Sequence, residues 1–188
     1  MVATTSSPRM TFTRARYDAM VAAGFLTKED RVELLYGEIY QKMPKGPKHT
    51  ARVNRITKTL ERLLGNRSII SGQNPVALNE FSEPEPDISV LKPRQDFYES
   101  GHPEPRDVLF LVEVSDSTLT HDRDLKVPLY AACDVAEVWL VYVQARTVTV
   151  HRAPEGNRYT NVITYAPGQS VPLAAFPGEE IAVDELGL

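Results

Sequence analysis

A chain of 188 residues is long enough for one sizeable core, and a composition of 42% hydrophobic and 24% charged residues is that of a globular domain, not of a disordered or fibrous one. The charge-free apolar runs are too short to span a membrane, the amino terminus MVATTSSPRMTFT lacks an apolar signal core, and the single Cys133 excludes an internal disulfide or a Cys-rich zinc site. The expectations are no membrane partner and a reducing, cytoplasmic setting, with a net charge of −4 confining any nucleic-acid contact to a local patch.

Residues 1–11 read as a loose arm of small polar residues, and residues 12–188 as a single domain. Thr13 is placed to cap a short helix with Tyr17, Met20 and Val21 at helical spacing and Gly24 as its stop, and Thr27 with Asp30 has the form of a capping box for one more turn. The segment VELLYGEIYQKM predicts a β-hairpin that reverses at Tyr36-Gly37. Lys48 to Leu64 predicts an amphipathic helix, because Val53, Ile56, Leu60, Leu63 and Leu64 share one face before Gly65.

Strands are expected in RSIISGQNPVAL and PDISVLK, and DVLFLVEV lacks alternation, as a strand buried on both faces does. It is expected at the centre of the sheet. DLKVPLYAACDV predicts a helix with Pro128 near its first turn, followed by strands in EVWLVYV and TVTVHRA and a tail of edge structure and loop. This mixed order predicts an α/β or α+β layer fold.

Four side chains in this frame carry chemistry. Glu113 is an acid in an apolar strand, which costs several kcal/mol unless a partner neutralises it. A strand-end carboxylate that reaches solvent or pairs with an arginine is the ordinary alternative. Asp87 opens a neighbouring strand after Pro86, so the two acids could converge on a hard cation; its ordinary alternative is a turn residue. Lys126 shares a helical stripe with Asp122, Leu129 and Cys133, with Tyr130 at the border, and is either a site residue or half of an exposed pair with Asp122. His49 lies on the apolar arc of the long helix, as a core histidine or as a group that orients water, metal or phosphate. Eight basic residues between Lys42 and Arg67 are interrupted by one acid, Glu61, and Lys48, Arg52, Arg55 and Arg62 share a helical face suited to a phosphate backbone or simply to solvent.

The segments RVELLYGEI, GPKH, QNPV, SEPEPDISVL, VLFLVEVSDSTLTHDRDLKVPLYA and EVWLV together resemble the Uma family of restriction-endonuclease-like proteins, within the PD-(D/E)XK nuclease superfamily. The resemblance implies a mixed central sheet flanked by helices, with Asp87 as the motif aspartate and Glu113 as the motif (D/E), both binding Mg²⁺ or Mn²⁺. The motif lysine is absent at Ser115, and Lys126 stands as its migrated substitute. His49 and Glu33 match family positions and join the catalytic set, whereas Tyr36 and Tyr142 replace residues that are usually acidic.

The function expected is a metal-dependent DNA endonuclease. Lys48, Arg52 and Arg55 would hold the DNA backbone, and a homodimer would suit the cutting of two strands. The rival expectations are an inactive nuclease-fold module that binds nucleic acid or protein, and a two-carboxylate hydrolase of a non-nucleic substrate.

Overall fold

The computed structural model describes residues 10–115 and 122–188, and of residues 122 and 123 the backbone alone. Residues 1–9 of the expected arm, and the side chain of Asp122 with its proposed pairing to Lys126, lie outside the described residues.

Helix α1 (Arg14–Ala22) starts where Thr13 accepts the backbone N–H of Arg16 through its side chain. Only Tyr17 of this helix is buried; Val21 is exposed, so the expected apolar face beyond Tyr17 does not form. Thr27 and Asp30 close a hydrogen-bonded turn through Asp30 Oδ2, without a further helical turn. Strands β1 (Val32–Leu35) and β2 (Glu38–Gln41) form the predicted hairpin. Both turn residues have positive φ, 53° at Tyr36 and 77° at Gly37, as a two-residue turn matched to strand twist requires.

The long helix α2 (Pro47–Leu64) buries His49, Val53, Ile56, Thr59, Leu60 and Leu64 along one face and ends at Gly65, whose φ is 53°. Of the segment RSIISGQNPVAL only β3 (Ile69–Gly72) is a strand, because Gln73 turns out at φ 55° and Pro75 follows. Val76, Ala77 and Leu78 are nonetheless buried.

One six-stranded sheet has the order β3, β4 (Ile88–Leu91), β5 (Val108–Ser115), β6 (Glu137–Tyr142), β7 (Thr147–Glu155) and β8 (Arg158–Tyr165). Strand β5 is interior and buried almost throughout, as its unbroken apolar sequence requires. The β5–β6 pair is parallel and all other pairs are antiparallel, so the chain crosses over between β5 and β6. That crossover contains one π turn (Asp122–Lys126) and helix α3 (Val127–Ala132), with Pro128 in its first turn where no intrahelical donor is lost. Strand β8 begins the tail, where edge structure and loop were expected, and it is an edge strand of the sheet; its mostly exposed surface hides the alternation that would have fixed its bounds.

Two apolar layers cover the sheet. On one face Val53, Ile56, Leu60 and Leu64 of α2 pack on Ile88, Val90, Phe110, Val112 and Trp139. The terminal hairpin β9 (Ser170–Pro172) and β10 (Glu180–Ala182), with the 3₁₀ turn Val183–Leu186, closes that layer. On the other face Val127, Leu129 and Tyr130 of α3 pack on Leu111, Val138 and Leu140.

Candidate active site

The pairing Ile88↔Val112 and Ser89↔Leu111 fixes what happens at the end of the two strands: one step further, Asp87 stands opposite Glu113. The sequence reason is local. Pro84 and Pro86 hold the approach extended, and the sheet then begins at Ile88, leaving Asp87 as the last residue before the ladder. Asp87 Oδ2 accepts the backbone N–H of Val114 at 2.8 Å, which ties its carboxylate to β5 beside Glu113.

Glu33 reaches the same place by a different route. The segment 82–85 runs along β1: Glu83 donates its N–H to the Leu34 carbonyl at 2.7 Å, and Tyr36 donates to Ser82 Oγ at 3.0 Å. Glu33 Oε2 then accepts the N–H of Glu85 at 3.0 Å. His49 arrives on the first turn of α2, and Lys126 at the start of α3.

The five side chains named from the sequence are thus brought together, and each is nearly removed from solvent: Glu33 and Glu113 at 2% exposure, Asp87 at 4%, Lys126 at 5% and His49 at 9%. Burial of three carboxylates requires compensating charge. Lys126 Nζ lies 3.1 Å from Glu33 Oε2 and 3.3 Å from Glu113 Oε1, a bridge that a solvent-exposed lysine would not form. The Tyr130 hydroxyl donates to Glu113 Oε1 at 2.6 Å. Asp87 is compensated separately, with Lys45 Nζ 2.7 Å from Oδ1 and His49 Nε2 donating to Oδ2 at 3.0 Å. Burial alone would raise the Asp87 pKa, but the His49 hydrogen bond and the nearby charge of Lys45 outweigh it and hold the group at about 2. Asp87 is an anion at any neutral pH. His49 Nδ1 is buried without a hydrogen-bond partner among the described residues.

Two contributors were not singled out by sequence reasoning. Lys45 lies in the basic run, where nothing in the pattern separates it from its neighbours; its position shortly before His49 is the only signal. Tyr130 follows Lys126 by one helical turn and was legible as a border residue of the same stripe. Among the described residues no group of three or more His, Cys, Asp or Glu side chains is arranged as a metal cage.

The basic face of α2 is divided in its use. Lys48 and Arg55 are exposed, while Arg52 is half-buried and donates through Nη1 to the Leu186 carbonyl at 3.0 Å. Arg62 pairs with Glu185. The C-terminal turn is seated so closely that a Cβ at Gly187, whose φ is 77°, would collide with the side chains of both Arg52 and Arg55.

The comparisons with known proteins bear on this arrangement. A family model, Uma2, described as "Putative restriction endonuclease", matches residues 15–184. The chain belongs to the Uma2 family. The crystal structure of "a putative nuclease belonging to DUF820" from Anabaena variabilis superposes with a TM-score of 0.69 at 18% identity, covering 93% of this chain and 97% of that one. The two share a fold. No curated protein matches the sequence. A mixed six-stranded sheet flanked by helices, with a nuclease as structural neighbour, is the architecture expected from the Uma-like segments. The Uma2 match spans every residue of the buried cluster, from Glu33 to Tyr130. No described helix is long and apolar enough to cross a membrane.

Proposed function

We propose that this Uma2 protein is a DNA endonuclease that hydrolyses phosphodiester bonds with Mg²⁺ or Mn²⁺ held by Asp87 and Glu113. The observation that carries the reading is the register of β4 and β5, which sets these two carboxylates opposite one another at one end of a buried sheet. Their chemistry fits such an ion: both are hard oxygen donors, and Mg²⁺ binds through one or two carboxylates while keeping water and substrate phosphate in its remaining positions. A cage with more protein ligands is not needed. The bound ion would polarise the scissile phosphate and lower the pKa of a coordinated water.

The remaining roles belong to the chain's own groups. Lys126, fixed between Glu33 and Glu113, is placed to stabilise charge that develops on the phosphate. Glu33 holds the ammonium and Tyr130 holds Glu113. His49 orients Asp87. Lys48 and Arg55 supply phosphate-backbone contacts without sequence information.

The rival reading, a nuclease-fold module without catalysis, is favoured by one feature: Lys45 and Lys126 each already stand on one of the two acids. A single preparation separates the two readings. With Mg²⁺ or Mn²⁺ the wild type should nick supercoiled plasmid and gain thermal stability by mass action, and Asp87→Asn or Glu113→Gln should abolish both effects. Equal metal-induced stabilisation of wild type and both variants, without nicking, would leave the inactive module.

A further inference from the structure

Arg52, Arg55 and Arg146 come from two distant parts of the chain and meet around residues 186–188. Arg52 Nη1 donates to the Leu186 carbonyl at 3.0 Å, and Arg146 Nη2 donates to the Leu188 main-chain oxygen at 2.9 Å. Two residues of chain span no more than about 7 Å, so these guanidinium groups are neighbours. Arg55 flanks them, since a Cβ on Gly187 would collide with Arg55 Cδ as well as with Arg52 Nη1. Burial, and then the charges of Arg55 and Arg146, lower the Arg52 pKa.

Among the described residues no carboxylate side chain pairs with any of these arginines. The two acids of the adjoining turn are engaged elsewhere, Glu185 with Arg62 and Asp184 Oδ2 with the N–H of Gly168 at 2.7 Å. A terminal carboxylate on Leu188 would offset one of the charges and leave two. Arg55 and Arg146 are exposed; the Arg55 guanidinium donates to no other described residue, and Arg146 spends one N–H on Leu188. Arg146 also stands in the β6–β7 turn at φ 57°, a left-handed conformation that favours glycine. A glycine would close this turn without strain, so the position is held for its side chain. Val143 opens the turn by donating its N–H to the Ser115 carbonyl at 3.1 Å, which puts Arg146 at the end of the sheet that carries Glu113.

We propose that Arg55 and Arg146, with residues 186–188 as the floor, form a site for a phosphate group. Guanidinium forks match phosphate oxygens through paired N–H···O bonds, and an anion held by both relieves the crowding of like charges. Arg52 fixes the floor through Leu186 and adds its charge to the field. The site differs from a row along α2, because Arg146 reaches it from the far side of the C-terminal turn. Its phosphate is either a diester of a nucleic acid lying across this end of the sheet or a free phosphate. The inference stands whether or not Asp87 and Glu113 catalyse hydrolysis.

Thermal unfolding of the full-length protein without divalent metal tests it. About 20 mM inorganic phosphate, against chloride at equal ionic strength, should raise the wild-type melting temperature by several degrees, the mass-action effect of a dissociation constant of roughly 1 mM. Arg55→Gln and Arg146→Gln, each compared with its own melting temperature in chloride, should lose most of that rise. Lys28→Gln, which removes an exposed cation from the turn closed by Thr27 and Asp30, should keep it. No rise in the wild type, or an equal rise in the wild type and both arginine variants, would overturn the proposal. A labelled DNA duplex distinguishes the two sources. Several-fold weaker duplex binding by Arg146→Gln, with phosphate displacing duplex from the wild type, assigns a nucleic-acid phosphate; unchanged duplex binding in a variant that has lost the phosphate-induced rise assigns a free phosphate. Should Arg146→Gln fail to fold for want of its Leu188 bond, Arg55→Gln, which breaks no side-chain hydrogen bond, decides alone.

Discussion

Lys126 stands 3.3 Å from Glu113 although it lies thirteen positions further along the chain, past a strand-to-helix crossover, and the same ammonium lies 3.1 Å from Glu33. One lysine therefore compensates two carboxylates that are each 2% exposed. Its removal takes that compensating charge from both, and breaking a buried ion pair from one side costs about 3–5 kcal/mol. Lys126→Ala should accordingly lower the melting temperature by about 10 °C, at the roughly 2–4 °C per kcal/mol of a domain this size. The exposed Asp122 pairing allowed by the sequence would have made that change almost silent. Converting Glu33, Glu113 and Lys126 together to Gln, Gln and Met should recover much of the stability while leaving the protein unable to nick DNA. A triple variant as unstable as Lys126→Ala would show that the charges are not what Lys126 contributes.

Lys45 makes a second, opposite prediction. Its ammonium is 2.7 Å from Asp87 Oδ1, and it is the better exposed partner of that pair. A divalent cation on Asp87 has to compete with it. Lys45→Ala should therefore bind Mn²⁺ several-fold more tightly, seen as a larger rise in melting temperature per increment of metal than in the wild type. An unchanged or smaller rise would mean that Lys45 does not occupy the place of the ion.

How legible this site was depends on how each residue is presented. Glu113 announces itself because an acid inside an apolar strand demands a partner, and the segment was read as interior for the same reason. Asp87 was marked by the prolines that precede it. Glu33 was reached only through family resemblance, since it lies in an ordinary hairpin and comes to the site because the segment 82–85 pairs with β1. That non-local pairing leaves no periodic trace. Lys45 was lost among seven basic neighbours, and Arg52 looked equivalent to Arg55 because helical spacing does not reveal that the C-terminus folds back over the helix and engages the Arg52 guanidinium. Strand β8 is legible only as edge structure without bounds, because a mostly exposed edge strand has little apolar alternation to detect.

That division of the basic helix leads to a third prediction. Lys48 and Arg55 are exposed and can each displace a condensed counterion, so changing both to Ala should flatten the slope of log affinity against log salt by about 2 units, on unrelated DNA sequences alike. Arg52 is engaged with the Leu186 carbonyl, and Arg52→Ala should instead cost about 1–2 kcal/mol of stability with little change in slope. Titration of each variant with a labelled duplex at several salt concentrations, beside a denaturant curve, separates the two effects. A slope change in Arg52→Ala equal to that of Arg55→Ala would return Arg52 to the DNA-facing row.

The last prediction concerns pH and a histidine remote from the acids. His151 lies on β7 between Val138 of β6 and Val162 of β8, is 9% exposed and meets the Tyr159 ring edge-on at 5.9 Å. Burial pushes its pKa below the ordinary histidine value, against the smaller opposing effect of main-chain hydrogen bonds at Thr149 and Val138. Its Nδ1 has no hydrogen-bond partner among the described residues, so a proton added there is poorly accommodated. In the unfolded chain the ring protonates near its ordinary value of about 6.5, and in the folded chain only at lower pH. The folded state then binds fewer protons, so this contribution to stability is complete above about pH 6.5 and is lost as pH falls through the folded value, at no more than about 1.4 kcal/mol per pH unit. His151→Phe keeps an aromatic ring at the site and removes the titration. Denaturant unfolding of both proteins from about pH 8 to about pH 5 should show the wild type losing stability relative to the variant only on the acid side of the ordinary histidine range. A difference that stays constant with pH would mean that His151 is protonated as readily in the folded protein as in the unfolded chain.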